Sequence, residues 1–129
     1  MGAWGHHFDE NDDAADWLGD FGDQPDWSIV RATLSDGAKL DDYIESDLGA
    51  AGLAAAEIVA AAIGKPSPRL SPEITTWANE NPAEANDLTP LAREAVTNIR
   101  DSGELQELWR EADASEWLAT VNDLIFRLS

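Results

Sequence analysis

The sequence predicts an all-α protein, a compact bundle of five to seven short helices around a central Ala-rich helix. Apolar residues recur three and four positions apart along most of the chain, which is the period of a helix with one buried face. No segment shows the sustained apolar-polar alternation of a strand. Because 129 residues suit one domain with a core of its own, we expect a single helical domain over residues 1–129.

The first predicted helix follows residues 1–8, which have no helical period. Asp9 or Asn11 can cap its start, and the acidic side chains there suit the positive end of the helix dipole. Gly22 is expected to end it. Its apolar face consists of Ala14, Trp17, Leu18 and Phe21.

The second and third helices follow in turn. Pro25 and Asp26 restart the chain into a helix that frays at Gly37. Its apolar face consists of Trp27, Val30, Leu34 and Ala38. The third helix, about Asp47 to Ile63, is apolar nearly all round and ends at Gly64, so we place it at the centre of the bundle.

Two Ser/Thr-Pro pairs predict the starts of the fourth and fifth helices. Ser71 serves as N-cap with Pro72 at the first helical position, and this helix ends at the NENP sequence. Thr89 and Pro90 are expected to do the same for the fifth helix, which stops at Gly103.

The last stretch, Glu104 to Ser129, contains two apolar sets that differ in phase by about one residue. A single straight helix would rotate the second set away from the core. We therefore predict a break near Asp113 to Ser115, with Ser115 or Asp113 capping a final helix.

The charge is large and uneven. The chain has 26 acidic and 8 basic side chains, a net charge of −18, and residues 1–49 alone hold 13 acidic and 2 basic ones. Such a charge disfavours binding to nucleic acid or anionic membranes, which require basic patches, and favours a basic protein partner. The sequence indicates no oligomeric state.

The chain has no cysteine, and its start lacks the basic and apolar regions of a secretory signal, so we expect a cytoplasmic protein. The longest apolar stretch, residues 48–63, is too short and too weakly hydrophobic to cross a bilayer.

The densest polar cluster surrounds the start of the first helix, where Asn11, Asp12 and Asp13 are candidate binding residues. A calcium loop is not predicted, because Ala14 stands where that loop needs glycine and Asp20 where it needs glutamate. His6 and His7 are adjacent and point to opposite sides of an extended segment, so no metal site or cofactor is predicted.

Glu57 lies midway along the apolar third helix, and a buried carboxylate must be paired, hydrogen-bonded or protonated. A structural ion pair is the favoured interpretation. The candidate donors are Arg31, Arg93, Arg100, Arg110 or an indole N–H. If Glu57 faces a cleft instead, it becomes the leading general acid or base.

Trp4 is held between glycines and has no helical partner pattern, so it either fills the core or stands exposed as an interface anchor. Phe8 is the second aromatic anchor of this segment. Both are candidate binding residues.

Five segments carry a resemblance to a known family: MGAWG at the start, FDENDDAADWL from Phe8, GLAAAEIVAAAIGKP from Gly52, and ELQELW and EWLATVNDLIFRL near the end. With these the chain resembles the bacterial family called domain of unknown function 4259, over nearly its whole length. The MGAWG opening and the acidic element after Phe8 are the most specific parts. The resemblance implies no activity, substrate or catalytic residue.

The chain has no catalytic motif, and its acidic charge is concentrated in residues 1–49. We therefore expect a non-catalytic module that binds a basic protein, as immunity-type inhibitors of bacterial toxins do. The alternative is a small ligand-binding or hydrolytic domain with a pocket of Trp4, Asp12, Asp13 and Glu57, joined by Phe8. A third hypothesis is acidic mimicry of a nucleic-acid backbone.

Overall fold

A computed structural model describes residues 12–38, 46–82, 85–102 and 115–128. These residues form six helices and no strand, which confirms the all-α prediction. The helices are α1 (Asp12–Asp23), α2 (Trp27–Gly37), α3 (Ser46–Ala62), α4 (Pro72–Glu80), α5 (Ala85–Ser102) and α6 (Ser115–Arg127).

Helix α3 lies at the centre of the bundle, as the sequence predicts, and contacts each of the other five helices. Residues 49–61 are all buried, and most of them are alanine. Small side chains let the neighbouring helices approach closely. At Gly52, an added Cβ would lie only 2.8 Å from Ile99 Cδ1 of α5. The hydrophobic core around α3 includes buried residues of all six helices.

Helices α1 and α2 follow the predicted pattern. Ala14 and Phe21 on α1 are buried, and Asp23 ends that helix one residue after the expected Gly22. Asp26 caps α2 by accepting a hydrogen bond from the backbone N–H of Ser28, 2.9 Å away. The predicted caps Asp9 and Asn11 lie outside the described residues.

Gly64 ends α3 in the conformation that glycine favours, with φ at +91°. The N–H of Gly64 donates to the carbonyl of Ala61, and that of Lys65 donates to the carbonyl of Ala60. This pair of bonds is a Schellman motif, which satisfies the last carbonyls of the helix. It also fixes the position of the loop at 65–70.

Helix α4 begins as predicted. The hydroxyl of Ser71 accepts a hydrogen bond from the N–H of Ile74 at 3.3 Å, and Pro72 is the first helical residue. At its end, the carbonyl of Asn81 accepts a 2.6 Å bond from the indole N–H of Trp27, which ties α4 to α2.

The predicted start of α5 at Thr89 and Pro90 is wrong. The helix begins at Ala85, so Pro90 lies inside it, where it cannot donate to the carbonyl of Asn86. Ala85 and Leu88 are fully buried against the core, and this burial offsets the roughly 3 kcal/mol that an internal proline costs. The hydroxyl of Thr89 donates to the carbonyl of Ala85 at 2.8 Å.

The final helix is confirmed, and Ser115 is its first residue. The predicted end of α5 at Gly103, and the residues just before Ser115 where a break was expected, lie outside the described part of the chain. Within the described ranges, no helix has the length and apolar character needed to cross a membrane.

Candidate functional site

Glu57 is the one buried charged residue among those described, with only 4% of its surface exposed. Its carboxylate meets the guanidinium of Arg127 on α6 in a two-pronged ion pair. Arg127 Nη1 lies 2.6 Å from Glu57 Oε1, and Nη2 lies 3.0 Å from Oε2. Such paired, parallel hydrogen bonds are the strongest arrangement between these two groups.

Arg127 makes two further hydrogen bonds. Its Nε donates to Asp123 Oδ2 at 2.8 Å, one turn earlier on α6, and Nη1 donates to the carbonyl of Lys65 at 3.2 Å. The Schellman motif at Gly64 places that carbonyl. Helix α6, the end of α3 and the following loop therefore meet at one guanidinium.

Burial of Arg127 acts against its charged form. The hydrogen bonds and opposite charges of Glu57 and Asp123 outweigh this, so the pKa of Arg127 is raised above its ordinary value. The guanidinium therefore keeps its positive charge, which offsets the negative charge of the buried Glu57 carboxylate.

The prediction that Glu57 forms a structural ion pair is confirmed, but its partner is a residue that the sequence analysis did not name. Of the expected donors, Arg110 lies outside the described residues. Arg127 follows Leu124 by three positions and precedes buried Leu128, so it borders the apolar face of α6. This spacing was the signal in the sequence that the side chain of Arg127 lies next to the core.

A groove of about 460 Å³ lies beside this ion pair, between α3, the 65–70 loop and α6. We call it the α3–α6 groove. Glu57 and Arg127 both line it. Its apolar lining consists of Leu53, Pro68, Trp117, Ala119, Val121 and Leu124. The size is that of small-molecule pockets in proteins, and apolar walls with a few polar groups are typical of them.

A second feature is a row of carboxylates on α1. We call Asp13, Asp16, Asp20 and Asp23 the acidic face. All four are exposed, and their spacing places them on one side of the helix, opposite the buried Ala14 and Phe21. At the usual rise of a helix the row is about 15 Å long.

Trp17 lies between the acidic face and the core. Its ring is half-buried, stacks on Phe21 with centroids 5.3 Å apart, and donates its N–H to the hydroxyl of Thr33 at 3.2 Å. Phe21 in turn meets Trp77 edge-on at 5.3 Å. These contacts fix the orientation of α1, and hence of its carboxylates, on the bundle.

The structure separates the candidate residues that it describes. Glu57 lines the groove, whereas Asp13 is exposed on α1 and is not among the residues lining the groove. Asp12 opens α1, and only its backbone is described. Three candidates, Trp4, Phe8 and Asn11, lie outside the described residues, as do His6 and His7. Among the residues described, no three Asp, Glu or His side chains group to hold a metal ion.

The groove was not predicted, because it is assembled from residues far apart in the chain. Leu53 on α3, Pro68 in the loop and Val121 on α6 have ordinary surroundings in the sequence. Only the position of Glu57 in an apolar helix gave a local signal for this site.

The model of one protein family matches the chain. That family is a domain of unknown function, DUF4259, and the match covers residues 2–120, so the chain belongs to this family. Arg127 and Asp123 lie beyond the matched residues. No curated protein and no solved structure matches the chain.

Proposed function

For this member of the DUF4259 family, we propose a non-catalytic role: an acidic module that binds a basic protein through the acidic face of α1. The observation that carries the proposal is the row of four exposed aspartates on one side of a helix. A partner with lysines and arginines on one surface would match this row in charge.

The availability of these carboxylates supports the proposal. In the described part of the chain, Asp16, Asp20 and Asp23 make no side-chain hydrogen bond or ion pair. They remain hydrated and can exchange water for a partner's cations at small cost, whereas carboxylates already paired would first have to release a cation.

The overall charge supports it as well. A net charge of −18, concentrated in residues 1–49, attracts basic proteins over a distance of about one Debye length and speeds their association. The same charge repels nucleic acids and anionic membranes. We place the interaction in the cytoplasm, since a chain without cysteine is suited to a reducing compartment.

The alternative from the sequence, a ligand-binding or hydrolytic domain, divides into two parts. A hydrolytic role for Glu57 has weak support, because both of its carboxylate oxygens accept hydrogen bonds from Arg127. A general acid or base needs an oxygen free to exchange a proton with substrate. A ligand-binding role gains support from the α3–α6 groove and is developed below.

The proposal can be tested with two variants of equal charge. D16N/D20N/D23N removes three charges from the acidic face. E73Q/E80Q/E94Q removes three exposed charges from α4 and α5. Wild type and both variants are used as bait in lysate of the source organism, at about 50 mM and about 500 mM salt, since surface electrostatics are screened as salt rises. Retained proteins are identified by mass spectrometry, and the partner is purified for calorimetry.

We expect a basic protein that wild type and E73Q/E80Q/E94Q retain at low salt and that D16N/D20N/D23N loses. With the purified partner, the α1 variant should bind about tenfold more weakly or worse, the scale of electrostatic steering and pairing. The proposal fails if no basic partner shows this salt dependence, or if both variants weaken binding equally.

A further inference from the structure

We propose that the α3–α6 groove binds an uncharged, mainly apolar small molecule that carries a hydrogen-bond-accepting oxygen, such as a ketone. This site is separate from the acidic face of α1 and does not depend on the proposed protein partner. The size of the groove, its apolar lining, its charges and the geometry of Arg127 lead to this ligand class.

The apolar lining favours an apolar ligand. Leu53, Trp117, Val121 and Leu124 are each at most 6% exposed and belong to the packed core, whereas Pro68 and Ala119 present exposed apolar surface to the groove. Covering Pro68, Ala119 and the exposed edges of the core residues removes apolar surface from water, at roughly 25 cal/mol per Å². A groove of about 460 Å³ has the volume for a compact small molecule.

The charges around the groove favour an uncharged ligand. Three carboxylates, Glu57, Glu116 and Asp123, and two cations, Arg69 and Arg127, line it. The acidic excess disfavours an anion. A cation would have to compete with Arg127 for Glu57 and Asp123, whose bonds to Arg127 measure 2.6 to 3.0 Å, and Glu116 is also engaged in an interaction of its own. Desolvating a charge without a new partner is costly, so a neutral molecule is selected.

Arg127 supplies a hydrogen-bond donor for the ligand. A guanidinium has five N–H groups. Four of them are used by Glu57, Asp123 and the carbonyl of Lys65. The fifth, on Nη2, has no acceptor among the residues that the structure describes. Arg127 and Asp123 both line the groove, so we assign this N–H, which runs parallel to the Nε–H beside Asp123, as the donor to a bound carbonyl oxygen.

The probe for the test is prodan, a neutral naphthalene with one ketone, whose fluorescence changes on entering an apolar site. Wild type is compared with A119W and A32W. Ala119 lines the groove from an exposed position on α6, so tryptophan there fills the groove without entering the core. Ala32 is also exposed, on α2, and is not among the residues lining the groove. Circular dichroism and thermal melting establish that each variant is folded.

We expect saturable prodan binding by wild type and A32W, and at least tenfold weaker binding by A119W, since filling the groove removes most of the apolar contact. Equal binding by all three proteins would overturn the proposal. So would no saturable binding by wild type.

A competition series on wild type tests the ligand class without any variant. The competitors are 2-acetylnaphthalene, 2-ethylnaphthalene and 2-naphthoate, which differ only in the group attached to one ring system. The ketone should displace prodan about tenfold better than the hydrocarbon, the value of one hydrogen bond to a charged donor, and at least tenfold better than the carboxylate. The proposal is overturned if the carboxylate or the hydrocarbon displaces prodan as well as the ketone.

Discussion

The acidic face of α1 and Glu57 on α3 carry the same charge in opposite settings. The carboxylates of the acidic face are exposed to water, with Asp16, Asp20 and Asp23 unpaired among the described residues. Glu57 lies in the core and is held by Arg127. In water a carboxylate needs no partner, and repulsion from neighbouring carboxylates is the main effect that destabilises the helix. In the core the cost is loss of hydration, which the guanidinium must offset. The same side-chain chemistry is therefore open to solvent in one place and links two helices in the other.

Among the variants that test this comparison, Arg127→Met should change the free energy of unfolding most. It leaves the carboxylate of Glu57 buried without its cation, so we expect the free energy of unfolding to fall by about 3–5 kcal/mol. Urea denaturation followed by circular dichroism measures this. The double variant E57L/R127M removes both ions and should recover most of the loss.

Arg100→Met is the matched control, because Arg100 pairs with Asp101 at the surface, where their side chains are 30% and 54% exposed. Its loss should stay within about 1 kcal/mol. If R127M and R100M cost the same, the ion pair at Glu57 is not the structural link described above.

A smaller effect of opposite sign is expected on α1. D16N/D20N/D23N removes like charges three and four residues apart, and also an acid at the negative end of the helix dipole. Unfolding free energy should rise by about 0.5–1 kcal/mol at low salt, and the gain should vanish near 1 M salt. Thermal melts at both salt concentrations check this. A loss of stability at low salt would mean that these carboxylates make stabilising contacts.

The smallest effect belongs to the exposed pair of Arg100 and Asp101. The hydrogen bond from Arg100 lowers the pKa of Asp101, against the opposing effect of desolvation. A lowered pKa adds stability above the ordinary value of 3.8, and this is lost as pH falls through the lowered value. Because solvent screens the pair, Asp101→Asn should cost at most a few tenths of a kcal/mol at pH 7. Acid titrations of both proteins should converge below pH 3.8.

The fold could be predicted largely from local signals. Ser71 with Pro72 marked the start of α4, Gly64 marked the end of α3, and the apolar character of residues 48–63 indicated the central helix. The same local signal failed at Pro90, because burial of Leu88 outweighs the cost of proline inside a helix. A cap motif indicates where the local backbone favours the start of a helix, but tertiary packing can shift that start.

The site could be predicted only in part. That Glu57 needs a partner follows from its apolar surroundings, so the ion pair was foreseeable. The identity of the partner was not, because Arg127 is 70 residues away in the chain and reaches Glu57 through the packing of α6 on α3. The groove depends on the same packing. A single sequence shows that a buried carboxylate needs a partner, whereas the identity and position of that partner depend on how the helices pack.

The distance along the chain between Glu57 and Arg127 has a consequence for synthesis. The ribosome makes α3 long before α6, so Glu57 emerges 70 residues ahead of its cation. Until then the nascent bundle can collapse around its alanines, but it cannot bury this carboxylate against Arg127. Docking of α6 therefore brings the cation to Glu57 and adds Trp117, Val121, Leu124 and Leu128 to the core.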